Sequence, residues 1–177
     1  SKTPIFIAAI GLFIAYSGGI YAVQNTSVAN AMLLFASAPL ITSILGYYFL
    51  KEKVSLHTLL SILIAFSGII LMFLDSFGNN SINGSISGII SAFGFSIFTV
   101  SLRWGKQNNM LPSVFLSGLL AIFLTIIICK FQNVNLILTK NDAIFALFLG
   151  VFQVGLGLIL YTIGSKTVPA AELTLLS

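Results

Sequence analysis

Few side chains in this sequence could carry acid–base, nucleophilic or metal chemistry. The 177 residues include four Asp or Glu, one His and one Cys. His57 has no second ligand beside it, Cys129 is single, and no two acids share a helix face. A glycine-rich loop ending in Lys-Ser or Lys-Thr, which would bind the phosphates of ATP, is also absent from the sequence. The sequence therefore predicts no enzyme, no metal site and no cofactor.

The remaining candidates are polar side chains within apolar segments. Gln153 lies near the middle of one such segment, where an amide is costly unless it binds a solute or a neighbouring helix. Asn30 and Ser37 fall on one face of another helix, about two turns apart. They line a polar pathway, or Asn30 is simply an interfacial residue at the helix end. Pro39 follows them, and it should kink the helix by clashing with the carbonyl of Phe35.

Glu172 is the one acid expected inside a spanning helix, shortly after Pro169. It has two interpretations. As a first-turn residue it would interact favourably with the helix dipole at the membrane surface. As an intramembrane carboxylate it would couple transport to protons or bind an amine.

The composition indicates that lipid, not water, surrounds this chain. Charged residues make up 7% and apolar residues 58%, whereas soluble domains carry about 25% charged residues. Twelve charges, eight basic and four acidic, cannot coat a water-soluble surface of this size. The net charge of +4 is too dispersed for a nucleic-acid partner.

Six apolar segments, each about 20 residues long, are long enough to cross a bilayer as helices. None contains Asp, Glu, Lys or Arg, and none alternates as a barrel strand would. The fold class predicted is an all-α, polytopic transmembrane bundle, in which Pro169–Ser177 begins a seventh helix and Asp75–Gly84 forms a loop. The segments are Ile5–Val23, Ala29–Leu50, Leu56–Leu74, Ser85–Leu102, Leu111–Cys129 and Ala143–Ile163.

The basic residues predict the orientation. Alternating helices place six of them on one side and two, Lys130 and Lys140, on the other. The positive-inside rule makes the richer side, and with it the N-terminus, cytoplasmic. The six are Lys2, Lys51, Lys53, Arg103, Lys106 and Lys166.

The first and sixth segments resemble each other. Gly11 and Gly18 correspond to Gly150 and Gly157 at a constant offset, and Tyr21 corresponds to Tyr161. The copies are five helices apart, an odd number, so the second enters the membrane from the opposite side. This predicts an inverted repeat, typical of secondary transporters, with units 1–78 and 79–177. The second unit breaks off early, so we expect further helices after Ser177 and before Ser1.

Small residues also recur at helical spacing. On the first segment they are Ala8, Gly11, Ala15, Gly18 and Ala22; on the fourth, Gly84, Gly88, Ala92 and Ser96; on the sixth, Ala146, Gly150, Gly157 and Gly164. Such faces let helix backbones approach closely in lipid. Tight packing and a solute groove are the two interpretations, and packing is favoured.

The stretch YAVQNTSVANAMLLFASAPLITSILGYYFLKEKVSLHTLLSILIAFSGIILMFL, residues 21–74, resembles the EamA-type drug/metabolite transporters. The resemblance rests on Tyr21 closing a helix, Pro39 in mid-span, Glu52 at a cytoplasmic end and a late Gly68. The segment YTIGSKTVPAAELTLLS, residues 161–177, is similar to the link into the family's ninth helix. Lys51 departs from the glycine common before the Glu. The family's ten-helix, five-plus-five fold implies that this chain runs from the third helix to the start of the ninth.

The resemblance implies a multi-pass carrier of small metabolites, such as amino acids or drugs, in a bacterial inner membrane. We expect a secondary-active exporter working by alternating access, with the bilayer, a small solute and in some assemblies a second copy as its partners. The expected pathway residues are Tyr21, Asn30, Ser37, Phe95, Gln153, Tyr161 and Glu172. Glu52 is either a surface ion pair or part of a cytoplasmic gate. The rival functions are a membrane-embedded enzyme and a scaffold subunit.

Overall fold

The computed structural model describes residues 2–52, 54–74, 82–132 and 139–177, with the backbone alone for 65, 68–74 and 132. Within these ranges the structure is helical, without strands. The helices are α1 (Thr3–Asn25), α2 (Val28–Phe35), α3 (Ala38–Leu45), α4 (Leu56–Leu74), α5 (Ile82–Trp104), α6 (Leu111–Gln132), α7 (Lys140–Phe148), α8 (Leu156–Gly164) and α9 (Ala170–Leu175). Wider π-helical turns continue α3 over Gly46–Leu50 and join α7 to α8 over Leu149–Gly155.

Five segments of the described chain are long and apolar enough to span a membrane, which confirms the polytopic helical fold. They are Thr3–Asn25, Val28–Leu50, Ile82–Trp104, Leu111–Phe131 and Lys140–Gly164. The third predicted segment, Leu56–Leu74, forms α4 with the expected bounds. The loop predicted over Asp75–Gly84 ends too late, because α5 already begins at Ile82. Residues 75–81 lie outside the described ranges.

The second span is broken close to where the sequence predicts it. Pro39 has no N–H to donate, so the α-helix that begins at Val28 ends at Phe35 and a new one begins at Ala38. The Ser37 hydroxyl donates to the carbonyl of Leu34 and so satisfies one backbone group beside the break. Both Pro39 and Ala38 are buried at this bend. The break therefore faces the interior of the bundle.

Helices α1 and α5 pack in backbone contact along the small-residue face of α1. A Cβ atom added at Gly94 would lie 2.8 Å from both the amide nitrogen of Ala15 and the carbonyl oxygen of Gly11. A Cβ at Gly18 would lie 2.9 Å from the carbonyl oxygen of Ser87. The Ser91 hydroxyl adds a hydrogen bond of 2.7 Å to the carbonyl of Ala15. On α1 the predicted small residues serve close packing, as expected. On α5 the predicted stripe faces α2 and α3 instead, since Gly88 lies against Leu34 and the Ser96 hydroxyl contacts the carbonyl of Ala38.

This pairing is antiparallel. Gly11 lies beside Gly94 and Phe98, and Gly18 lies beside Ser87 and Ser91, so the start of α1 meets the end of α5. Since Arg103 in the last turn of α5 also contacts residues 165 and 166, the described residues of the predicted cytoplasmic links gather at one end of the bundle. The co-location agrees with the predicted charge bias. The side of the membrane stays a prediction.

The sixth span contrasts with the first. Its most apolar stretch has no buried residue within the described chain, and added Cβ atoms at Gly150 and Gly157 would meet nothing within 4 Å. Gly150 and Gly157 therefore pack against none of the described elements, whereas an added Cβ at Gly164 would lie 3.6 Å from Leu173 on α9. Whether the first and sixth spans form an inverted repeat stays a prediction.

From the α1–α5 contact we predict that one added methyl group destabilises the protein at this contact and not elsewhere. We expect Gly94→Ala to destabilise the protein by about 1–3 kcal/mol, because the new Cβ collides with the rigid backbone of α1 at Gly11 and Ala15. Gly118→Ala is the matched control, since nothing lies within 4 Å of its Cβ; it should be neutral or stabilising by up to about 1 kcal/mol through helix propensity. Unfolding of the full-length protein in bicelles measures both. Equal effects would contradict the contact.

Candidate functional site

A large cavity lies between α1, α2, α3, α4, α5 and α9. Its volume is about 800 Å³, and its lining follows α1 from Leu12 to Gln24. Since the other described end of the bundle holds Arg103 and the start of α1, the cavity occupies the half of the bundle opposite to that end. Pro39 and Phe95 contribute to the wall, so the break in the second span shapes it. A volume of this order accommodates a small organic solute.

The described lining is mainly apolar and carries no charged side chain. Its polar groups are spread over the wall: Tyr16, Gln24, Ser91, Thr174 and Ser177. Ser91 is already committed to the carbonyl of Ala15, and the Thr174 hydroxyl donates to the carbonyl of Ala170 and shares a hydrogen bond with the hydroxyl of Thr42. Aromatic rings of Phe35 and Phe95 face the same space. Such a wall suits a neutral, zwitterionic or amphipathic solute.

Between the cavity and the end of the bundle that holds Arg103, aromatic rings that include Phe95 form a layer. The Phe95 ring lies 5.4 Å from that of Tyr161 and 6.0 Å from that of Phe98, measured between centroids. Tyr161 stacks on Phe98 at 6.0 Å, and its hydroxyl shares a 2.7 Å hydrogen bond with Thr99. Phe98 is completely buried and belongs to the core cluster of α1 and α5. This layer separates the cavity from the end of the bundle.

Beyond the aromatic layer, about 12 Å from Phe95 along α5, an ion pair crosses the bundle. Arg103 donates from Nε (2.9 Å) and Nη2 (2.5 Å) to the same carboxylate oxygen of Glu52. Glu52 follows the π-helical turn that ends the second span, so the pair joins that span to α5. The Arg103 side chain is 9% exposed and that of Glu52 is 23% exposed. Glu52 is thus ion-paired, but the pair is partly buried and not at the surface, and its part in a cytoplasmic gate stays a prediction.

The same pair also holds the corner between α8 and α9. Nη1 of Arg103 donates to the carbonyl oxygens of Ser165 (3.0 Å) and Lys166 (3.1 Å). The second oxygen of Glu52 accepts from the amide of Ala170 at 3.0 Å, the first residue of α9. We call Glu52, Arg103 and these three backbone groups the clamp. It joins the second span, α5 and the α8–α9 corner.

Glu172 lies beside the clamp on α9. Its Oε1 accepts a 3.1 Å hydrogen bond from the hydroxyl of Thr58 on α4, and it lines a small cavity with Glu52, Ser55 and Thr58. The side chain makes no hydrogen bond to the first amide of its own helix, because Glu52 occupies that amide. Its described contact therefore links α9 to α4.

Two predicted pathway residues serve as links between helices or turns. Asn30 is buried, and its amide donates to the hydroxyls of Thr26 (2.8 Å) and Ser85 (2.7 Å). It thereby fastens the start of α2 to the start of α5. Ser37 is engaged at the break of the second span. Neither residue lines the large cavity.

Two further candidates lie on the outside of the described bundle. Gln153 falls in the π-helical turn between α7 and α8, with its side chain exposed. Turns of this type often mark functional positions. Tyr21 is 45% exposed near the end of α1. The structure thus brings Phe95, Pro39 and Tyr161 to the cavity or its floor, and Glu52 and Glu172 to the closed end.

Sequence reasoning missed the role of Arg103, which it counted only as a topology signal. The usable signal was an Arg and a Glu at the same predicted end of two neighbouring spans. The cavity residues Tyr16 and Thr174 were also missed, because single hydroxyls in apolar helices are too common to stand out.

A polytopic helical membrane protein with an internal solute-sized cavity is the class that this fold defines, and comparison with known proteins narrows it. Residues 2–74 match the EamA-like transporter family. Human solute carrier family 35 member G1 is 30% identical over 149 residues, which are 76% of this chain and 41% of that protein. An uncharacterized transporter of Clostridium kluyveri is 24% identical over 153 residues, 80% of this chain and 48% of that protein. The uncharacterized transporter YetK of Bacillus subtilis is 25% identical over 112 residues, 58% of this chain and 34% of that protein.

The family match over residues 2–74 and these relatives support the assignment to the EamA-type drug/metabolite transporters that the motifs predict. It spans less than half the length of each of these relatives. No solved structure matches it.

We predict that loss of the Arg103 cation from the clamp strongly destabilises the protein. Arg103→Gln would leave the Glu52 carboxylate partly buried without a counter-charge and remove the donors to residues 165 and 166. We expect the full-length protein to lose about 3 kcal/mol of stability, measured as unfolding in bicelles. Lys106→Gln, three residues on and exposed, is the control and should change stability by less than about 0.5 kcal/mol. A similar small change at Arg103 would show that the clamp is not formed.

Proposed function

We propose that this chain is part of a secondary-active carrier that exports small metabolites, such as amino acids or drugs, by alternating access. The observation that carries the proposal is the cavity of about 800 Å³, which an aromatic layer and an ion-paired clamp close at one end. A carrier requires a solute space that is open to one side at a time. The named transporters among the relatives support the same class of function.

The cavity wall indicates the class of solute. Transfer of an unpaired ion into an apolar wall is strongly unfavourable, and the described lining offers hydroxyls, an amide and aromatic rings but no charge. Arg103 is the nearest buried cation, and its donors already bind Glu52 and two carbonyls. A neutral, zwitterionic or amphipathic solute fits this wall better than a phosphorylated one.

In this proposal the clamp is the closed cytoplasmic gate, and the cavity opens to the opposite side. The six-to-two distribution of basic residues supports this orientation. The inverted repeat with units 1–78 and 79–177 would supply the rocking movement, and the helices beyond this chain would complete the wall. We place the carrier in a bacterial inner membrane.

Filling the cavity should stop transport without unfolding the protein. Ala36 lines the cavity, so we expect Ala36→Trp to abolish uptake and exchange of solute by proteoliposomes while the protein still purifies as a single species. Ile122→Trp adds the same ring at a position that is 59% exposed on α6, and transport should persist. The solutes to screen are radiolabelled neutral amino acids and amphipathic drugs. Normal transport by Ala36→Trp would contradict the assignment of this cavity.

A substitution at Glu172 distinguishes a role in proton coupling from a purely structural role. Glu172→Gln keeps an oxygen that accepts from Thr58 and loses the titratable charge. If the carboxylate couples transport, proton-driven accumulation disappears while solute exchange survives, because exchange requires no net proton movement. Asp142→Asn, an exposed acid at the start of α7, is the control and should retain both activities. Intact accumulation by Glu172→Gln would leave Glu172 a structural link between α9 and α4.

A further inference from the structure

We propose that Arg103 is a positioning residue of the transport cycle, and that the clamp acts as a directional latch on the α8–α9 corner rather than as a simple ion pair. This inference rests on the proposed carrier function. It assigns to Arg103 and to the backbone of residues 165–170 the task of keeping one end of the cavity closed.

The two members of the pair divide the corner between them. Arg103 holds the end of α8, where carbonyl groups lack partners in the helix itself, through the oxygens of Ser165 and Lys166. Glu52 holds the start of α9 by accepting from the amide of Ala170, an N–H without a partner in the helix itself. Each helix end thus meets the kind of group that its backbone requires, a donor at the end of α8 and an acceptor at the start of α9.

This assignment of charges makes the latch directional. Carbonyl oxygens accept hydrogen bonds only, and an amide N–H donates only. An arginine at position 52 could not accept from Ala170, and a carboxylate at position 103 could not donate to residues 165 and 166. Exchanging the two residues would therefore preserve the ion pair and lose all three contacts with the corner.

The corner lies where its release would matter. Helix α8 carries Tyr161, which belongs to the aromatic floor of the cavity. Helix α9 carries Thr174, which lines the cavity wall and bonds to Thr42 of α3. Movement of the corner would shift both the floor and one wall, so the clamp controls access from its own side of the membrane.

The backbone at the corner allows one hydrogen bond to be deleted alone. Pro169 has φ −56° and ψ 151°, the conformation preferred by a residue that precedes proline. Position 170 is the first of α9, where proline is well tolerated. Ala170→Pro would thus remove the N–H that donates a hydrogen bond to Glu52, and it would keep the ion pair. Ala170→Ser keeps the N–H and serves as the matched control.

The test measures from which side the cavity is reached. Ala38 lines the cavity, so Ala38→Cys in a Cys129→Ser background of the full-length protein is the reporter. Oriented membrane vesicles are treated with a charged, impermeant methanethiosulfonate from the clamp side or from the opposite side. The reporter protein itself should react from the opposite side.

Ala170→Pro and the exchange Glu52→Arg with Arg103→Glu should each shift the ratio of reaction rates towards the clamp side by about tenfold or more, since each loses hydrogen bonds that involve a charged group. Ala170→Ser should react as the reporter protein does. A restored, reporter-like ratio in the charge exchange would overturn the latch and leave a simple ion pair. An unchanged ratio in Ala170→Pro would overturn it independently.

Failure of the carrier proposal gives a different result. A reporter cysteine that reacts from neither side would show that the space is closed to water. It would contradict both the proposed carrier cavity and the proposed latch. A reporter that reacts from the opposite side in every variant, with an unchanged ratio of reaction rates, would support the cavity and contradict only the latch.

Discussion

The backbone contact between α1 and α5 is the interaction on which the rest of the described structure depends. In lipid, helices gain little from burying apolar surface against one another, so close packing must hold them. Glycines at 11, 18 and 94 allow the two backbones to approach until no Cβ would fit. The antiparallel pairing sets which ends meet, and thereby brings Arg103 to the end where the second span and α8 also terminate.

From that contact follow the two halves of the bundle. In one half the buried ring of Phe98 and the partly buried ring of Tyr161 pack beside the α1–α5 seam, and the clamp lies beyond them. In the other half the second span, bent by the break at Pro39, forms one wall of the large cavity. A buried ion pair is weak as a source of stability, because desolvation opposes the Coulomb attraction. Its value here lies in fixing where three elements meet.

The relation between prediction and structure differs from residue to residue. The helical spans and the break near Pro39 follow from apolar length and proline geometry, and the structure has both. Glu52 was expected to be ion-paired, although its neighbours Lys51 and Lys53 are the nearest cations in sequence and the described partner is Arg103. Asn30 and Ser37 were expected to share one face of a continuous helix, but the helix ends at Phe35, Asn30 bonds to Thr26 and Ser85, and Ser37 bonds to the carbonyl beside the break. Gln153 lies in mid-span as expected, on a helix that the described chain leaves exposed.

The sequence by itself determined the solvent, the spans, the ends that carry positive charge and the family, because each depends on local composition, on length or on motifs that are contiguous in the chain. Only the tertiary structure decided which polar groups meet. Glu52, Arg103 and Ala170 are separated by dozens of residues, and nothing in helix periodicity relates them. Their meeting depends on how α1 and α5 pack and on the turn between α8 and α9. Long-range packing of this kind is set by the fit of whole helices, and a single span carries no record of it.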